Sequence, residues 1–412
     1  MNVAGWFAAR GEATFGSPAL RAFGAVLAAL HVLTAHAWFT QKHIVSLVSG
    51  EDVVCWPLFA DCWRLRAHVT PGLVRTFVGA YVALALVALW AIVRRRSAVA
   101  FASFVAAFAV GLGIYSLDYR LRFNQSYMLS WVIVVLLVAP RKLVALQALL
   151  PLFYFWAGTL KMNTEWISGS ALYAKPSLVP DSLIPAACVY VLVLELAMVW
   201  GLYSKRMRVR LLVLAQLALF HAVSFAVVGF FYPLLMFGLL ALFPIVWRLA
   251  PDETLSVSAI SAVSHAGAWR TAAAVAVVAV VFSLFQLVPY TFPGDPGLTG
   301  EGRLFALHMF DAKVECEGGA VMTTSAGERR FVPLINLNLE YRVRCDPIVI
   351  RGTAERLCRL LSARGDASRV DVSVDARRSN VPRMAPLVRK EDFCRGPVEY
   401  SMLRHNPWIV TP

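Results

Sequence analysis

The chain has 412 residues, 59% of them hydrophobic and 16% charged, with a mean hydropathy of +0.64. Soluble domains run about 45–50% apolar and about 25% charged, so this composition excludes a soluble enzyme and a disordered chain and points to a bilayer as the main solvent. The net charge of +14 would suit nucleic acid, but the basic surplus lies mostly in residues 1–290, at the ends of apolar runs. It forms no stripe that could track phosphates, and no nucleic-acid partner is expected.

A spanning helix takes about 20 mostly apolar residues, because the hydrocarbon core is roughly 30 Å thick. Nine stretches qualify or nearly do: 20–39, 73–93, 98–117, 126–139, 143–160, 184–203, 211–228, 231–247 and 271–290. The fourth is short, which suggests tilt or burial within the bundle. Ala35-His36-Ala37 resembles a signal-peptidase site, but the long preceding stretch and the interrupting His31 favour an uncleaved anchor. Arg94–Arg96, Arg141 with Lys142, Lys205 with Arg206, Arg208 and Arg210, and Arg248 all fall on one side of the membrane if the N-terminus is cytoplasmic. Lys42, Arg64 and Arg66 in the 40–72 loop pull the other way and are outnumbered. Nine crossings then place the C-terminus outside. The Ser/Ala-rich segment 252–270 reads as a cytoplasmic amphipathic connector.

Beyond Tyr290 a Pro/Gly-rich linker opens a polar region of the size of one small domain. The bundle is therefore assigned to 1–290 and an extracytoplasmic α+β, β-rich domain to 291–412. Alternating runs at 303–315, 320–334, 335–345 and 369–375 read as strands, with a hairpin turn at Ser325-Ala326-Gly327. Asp346-Pro347 opens a helix carrying Ile350, Ala354, Leu357 and Leu361 at helical spacing, and Gly365 stops it. Of seven cysteines only Cys188 lies in or beside a membrane helix. The other six fall on the outer side, an even number suited to disulfides in an oxidising compartment. Cys55 and Cys62 form the expected local pair, and Cys316, Cys345, Cys358 and Cys394 leave three pairings open. No ligand-spaced histidine accompanies them, so no metal is expected.

Signatures of soluble enzymes, such as a phosphate-binding glycine loop, HExxH or GxSxG, are absent. What remains is a set of polar residues in or beside the bundle: His31, His36, Asp118, Asn124, Lys161, Glu195 and His221. Placing a charge at the bilayer centre costs at least about 2.5–3.5 kcal/mol, so each needs a partner or a function. Lys161 reads either as a lysine snorkelling to the interface or as a desolvated amine able to act as a base. His221, about ten residues into its segment, is either a neutral core hydrogen bonder or a proton relay. Glu195 is either a helix-to-helix partner or an acid of the site, whereas His31 and His36, five residues apart, do not share a face well and read as structural.

The segment Tyr154-Phe155-Trp156-Ala157-Gly158-Thr159-Leu160-Lys161-Met162-Asn163-Thr164-Glu165-Trp166 resembles the vitamin K-dependent γ-carboxylase and its bacterial relatives, the horizontally transferred transmembrane (HTTM) domain proteins. Their signature is an aromatic-aromatic-x-Ala-Gly stretch, a lysine, an acidic or amide residue, a tryptophan and a glycine, matched here by Ala157, Gly158, Lys161, Asn163, Trp166 and Gly169. Asp118 and Asn124-Gln125-Ser126-Tyr127 resemble the family's Asp and Asn-Asn-His-Ser-Tyr, Glu195 its membrane acid, Phe220-His221 with Phe231-Tyr232-Pro233 its Phe-His helix, and Ser379-Asn380-Val381-Pro382-Arg383 its turn-rich outer element. Gln125 stands where the family has a histidine, and an amide does not titrate.

The resemblance implies a multi-helix bundle in the cell (inner) membrane with an outward β-rich domain. It also implies a cofactor, a reduced quinone such as vitamin K or menaquinol. Oxygenated by O₂, the quinol becomes a strong base that takes a γ-proton from a glutamyl side chain of an exported peptide or protein before CO₂ adds. Lys161 would deprotonate the quinol and His221 would handle an oxyanion or proton. Asn124, Gln125, Tyr154, Trp156, Gly158 and Trp166 would line the cofactor site, with Asp118 and Glu195 as the ionisable residues in the membrane. Two other classes of function stay open. In an ion- or proton-coupled transporter, Glu195 and His221 form a path and the Gly229–Pro233 break interrupts a helix; a noncatalytic scaffold presents its exported domain to a partner.

Overall fold

Short polar residues start the first long helices. Asn2 accepts the amide N–H of Gly5, Ser17 that of Leu20 and Thr70 that of Leu73, with Pro18 and Pro71 at the first turn of two of them. The computed structural model describes all residues except 1, 51–52, 60–61, 66–67, 177, 257–267, 311, 325, 338, 340, 365–366 and 412. Its helices are α1 (Val3–Phe15), α2 (Pro18–Thr40), α3 (Ile44–Ser49), α4 (Cys62–Leu65), α5 (Pro71–Val93), α6 (Ser97–Ser116), α7 (Asn124–Val138), α8 (Lys142–Leu160), α9 (Thr164–Ser168), α10 (Ile184–Leu196), α11 (Met207–Val228), α12 (Phe231–Leu240), α13 (Leu242–Leu249) and α14 (Ala268–Leu287). Short α15 (Pro296–Thr299) and α16 (Tyr341–Arg344) and the longer α17 (Pro347–Arg364) follow.

Among the described residues, eight stretches are long and apolar enough to cross a membrane: Pro18–Thr40, Pro71–Val93, Ser97–Ser116, Lys142–Leu160, Asp181–Tyr203, Met207–Val228, Phe231–Leu249 and Trp269–Thr291. The chain is thus a multi-pass membrane protein. The expected ninth, α7, is apolar but has 15 residues, which span roughly 22 Å at about 1.5 Å per residue, short of a typical hydrocarbon core. Helix α1, not anticipated from the sequence, packs Phe15 against Phe104 of α6 with ring centroids 5.3 Å apart. Most of the 252–270 connector lies outside the described residues, as do Arg66, Ser325 and Gly365.

The bundle is built around α8. Its apolar window is 78% buried, against 17% for α11 and 11% for α14, which lie at the periphery. Leu146, Leu149, Leu150 and Phe153 of α8 join Phe23, Leu27, Val132, Leu136, Leu235 and Leu239 in one apolar core. At one end of the bundle Gln147 clamps the chain. Its side chain donates to the carbonyls of Leu143 and Glu253 and accepts from the amide of Leu255, and its backbone carbonyl accepts from the Tyr203 hydroxyl.

The opposite end carries the C-terminal domain. Four antiparallel strands, β1 (Val314–Thr324), β2 (Arg329–Pro333), β3 (Ala367–Arg378) and β4 (Ala385–Lys390), form a sheet in the order β2-β1-β3-β4. The expected run at 320–334 is thereby split into β1 and β2. The described residues of 303–313 form turns and bends rather than a strand, those of 335–345 contain α16 instead of a strand, and β4 was not anticipated. Helix α17 starts where Asp346 caps it, accepting from the Ile348 amide at 2.9 Å. Ile350 and Ala354 bury completely against Val370, Val372 and Val374 of β3, as the helical spacing requires. The three disulfides are Cys55–Cys62, Cys316–Cys345 and Cys358–Cys394, which resolves the three open pairings. Cys188 is the free, buried cysteine.

Residues 305–308 lie as a strap across the helix ends, held by side-chain bonds from the bundle. Asn124 pairs with both backbone groups of His308 at 2.9 and 3.0 Å, Tyr127 donates to the Phe305 carbonyl at 2.5 Å, and Gln286 accepts from the Leu307 amide at 2.8 Å. The first loop joins the same assembly, because Val54 packs into the core of the C-terminal domain and its amide donates to Asp118.

Candidate functional site

The site forms where α8 ends. Helix α8 runs to Leu160, Lys161 caps it, and Asn163 starts α9 by accepting from the Trp166 amide at 2.9 Å. Gly169 ends α9 at φ +80°, a conformation that favours glycine. Gly158 serves close approach instead: a Cβ there would lie 2.9 Å from a Leu196 methyl and 3.1 Å from Glu195 Cβ, so α8 and α10 meet without a side chain between them. Helix α10 ends at Leu196, one residue beyond Glu195, and a 3₁₀ stretch, Met198–Tyr203, follows.

That approach sets Lys161 Nζ at 2.7 and 2.6 Å from the two carboxylate oxygens of Glu195. Both side chains are 1% exposed. The ammonium also stands 5.2 Å from the centroid of the Trp166 ring. In a low-dielectric interior an unpaired charge is far costlier than a paired one, so the two residues form one electrostatic unit. Beside it, the Tyr154 hydroxyl and His221 Nε2 are 2.7 Å apart, and His221 Nδ1 is buried with no partner among the described residues. The Tyr232 ring packs 5.5 Å from the imidazole.

Two cavities share a wall here. A vestibule of about 580 Å³ at the domain-bearing end is lined by Gln41, Arg122, Asn124, Gln125, Tyr173 and His308, among others. An almost wholly apolar chamber of about 90 Å³ reaches Lys161 and includes Trp166, Ile184, Cys188, Phe220 and Ser224. Val227, Val228, Tyr232, Met309 and Phe310 border both. Phe310, at φ +54°, packs 5.1 Å from the Trp166 ring; a bulky residue in that region marks a position constrained by its surroundings.

The structure therefore brings Lys161 and Trp166 together at the chamber, with Glu195 bonded to Lys161 behind its wall and Tyr154 and His221 as a hydrogen-bonded pair next to them. Gly158 sits behind, at the helix contact. Asn124 and Gln125 line the vestibule rather than the chamber. Trp156 points elsewhere: it donates to Ser283 of α14 at 3.1 Å and borders a separate groove that includes Met162, Asn163 and Tyr290. Asp118 is bound bidentately by Arg120 at 3.0 and 2.8 Å and organises the loop. His31 bonds the Tyr81 hydroxyl at 2.5 Å in another part of the bundle, and His36 packs on Phe230. No cluster of three metal-ligating side chains occurs among the described residues.

Sequence reasoning did not find Glu165, which is buried beneath the domain. Its carboxylate accepts from Arg378 Nη1 at 2.9 Å and from the Ser379 amide and hydroxyl, each at 2.8 Å. Arg378 also binds Asp295 at 2.6 and 2.8 Å. The signal was an acidic residue one position before the motif tryptophan, readable only once the distant partner strand is known. Fold and site together define a multi-pass membrane protein with a buried lysine–glutamate pair whose lysine faces an apolar chamber. No family model, curated protein or solved structure matches the chain.

Proposed function

We propose that the protein is a quinol-binding membrane enzyme of the γ-carboxylase-like, HTTM type, which deprotonates a reduced quinone at Lys161 as the first step of an oxygenase or carboxylase reaction. The observation that carries this reading is the Lys161–Glu195 pair at the end of an apolar, tryptophan-bordered chamber. A flat ring that presents one of its ionisable hydroxyls to the lysine suits such a chamber, which is apolar along its walls and polar at one end. The pair accepts one proton by either route. Lys161 is the member of the pair at the chamber wall: if the pair rests as ammonium and carboxylate, Lys161 would pass a proton to Glu195 as it takes the ligand's hydroxyl proton, and if the pair rests neutral, Lys161 would take that proton directly. Both routes end with a protonated Glu195, a Lys161 ammonium and a ligand oxyanion beside that ammonium, which stabilises it. Tyr154 and His221 supply a neighbouring relay for the next proton.

The orientation adopted here puts the N-terminus in the cytoplasm and the vestibule and C-terminal domain outside the cell membrane. The disulfides support it, since such bonds persist in oxidising compartments. In this reading α7 is a ninth crossing. Its first residue meets His308 at the domain-bearing end, and its last turn leads directly into α8, which returns to that end. O₂, CO₂ and an exported glutamyl peptide or protein are the partners this chemistry requires.

The test is incubation of the solubilised protein with reduced menaquinone or vitamin K and O₂, followed by mass spectrometry for quinone epoxide. Wild type is expected to form epoxide and Lys161→Ala to lose it. Folded wild-type protein that forms none with either quinone would overturn the assignment. A proton-coupled transporter built on Glu195 and His221 would instead show proton-dependent flux lost in Glu195→Gln.

A further inference from the structure

The chamber that ends at Lys161 also reaches the lipid-facing surface of the bundle. Its walls include Ala187 and Val191 of α10 and Phe220, Val223 and Val227 of α11. All five are only half-buried, on the flanks of two peripheral helices, so the same side chains border the chamber and the bilayer. The outward faces of both helices are apolar and exposed, as at Val189, Val193 and Leu219. Just beyond the chamber the Tyr190 hydroxyl donates to the Gln216 side chain, tying α10 to α11 at one edge of this seam. On the opposite side the vestibule presents amide, guanidinium and imidazole groups, an unfavourable path for an apolar chain.

We propose that the seam between α10 and α11 is a lateral portal, and that the ligand of the Lys161 chamber is a bilayer-dissolved molecule whose apolar chain stays between these helices while its ring reaches the lysine. The inference rests on reading the chamber as a ligand site but not on the ligand's redox chemistry. An apolar chain left in the portal exchanges lipid contacts for side-chain contacts without crossing water. Entry through the vestibule would instead draw that chain through an aqueous, polar mouth.

Cys188 makes the portal measurable, because its thiol lines the chamber and the other six cysteines are in disulfides. Full-length protein in liposomes is treated with a lipid-soluble pyrene maleimide or with a sulfonated, membrane-impermeant maleimide applied to both faces. The pyrene reagent is expected to label Cys188 much the faster. Ala187→Trp, which narrows the portal, should slow that labelling roughly tenfold, a barrier change within the reach of one side chain. Val193→Trp, on the same helix but outside the chamber, should leave the rate unchanged.

Faster labelling by the charged reagent, an unaltered rate in Ala187→Trp, or no labelling by either reagent of a protein that takes one label when unfolded would each overturn the portal. Labelling as expected in a protein that binds no quinone would leave the portal standing and overturn the quinone reading alone.

Discussion

Lys161 and Glu195 pair where both side chains are only 1% exposed, with contacts of 2.6 and 2.7 Å. Deleting one partner strands the other, at a cost of about 3–5 kcal/mol for buried pairs, whereas replacing both with apolar residues of similar volume is often nearly neutral. Lys161→Met and Glu195→Leu should therefore each lower the thermal midpoint of the solubilised protein sharply, and the double variant should recover most of the loss. Additive losses would show that the two residues act independently. Lys161 itself was legible in the sequence, because a lysine ending an apolar, aromatic and glycine-rich segment is unusual. Its partner was legible as a membrane acid that pairs between helices or serves the site, but the 34-residue separation hides which residue it pairs with.

At the scale of elements, the contact of α8 with α10 positions the site. Gly158 leaves no room for a methyl group, because a Cβ on it would stand 2.9 Å from Leu196 and 3.1 Å from Glu195 Cβ. Gly158→Val should push α10 outward, cost about 1–3 kcal/mol as an overpacked contact and lengthen the Lys161–Glu195 bond. Thermal unfolding checks the stability change, and a loss of quinol binding larger than that in a lipid-facing variant such as Val193→Ala would show that the helix spacing matters to the site. A Gly158→Val protein with unaltered stability and binding would contradict this account of the glycine.

The spanning helices were readable because runs of apolar residues ending in basic residues reflect the bilayer directly, and α17 because its cap and periodicity are local. The strands were less so. β4 is six residues, Ala385–Lys390, and its pairing with β3 is non-local. The stretch at 303–310 alternates in polarity because it lies between bundle and domain, not because it belongs to a sheet.

At the scale of the molecule, the C-terminal domain is part of the site's frame. Glu165 lies four residues beyond Lys161 and accepts hydrogen bonds from Arg378 and Ser379 at the end of β3, while Met309 and Phe310 of the connecting segment wall both cavities. Hydrogen bonds to a charged group contribute about 1.5–3 kcal/mol each, so Glu165→Ala should loosen the domain from the bundle. Limited proteolysis should then cut faster within 292–313, and epoxide formation should fall although Lys161 is intact. Unchanged cleavage and activity would show that the domain is only tethered.

The most direct measurement is photolabelling of the full-length protein in liposomes with an azido-naphthoquinone, with the attachment sites mapped by mass spectrometry. The account predicts attachment within residues 166–191 and 220–232, suppressed by excess menaquinone and weakened in Lys161→Met. Attachment confined to other helices, or unaffected by excess menaquinone, would contradict it.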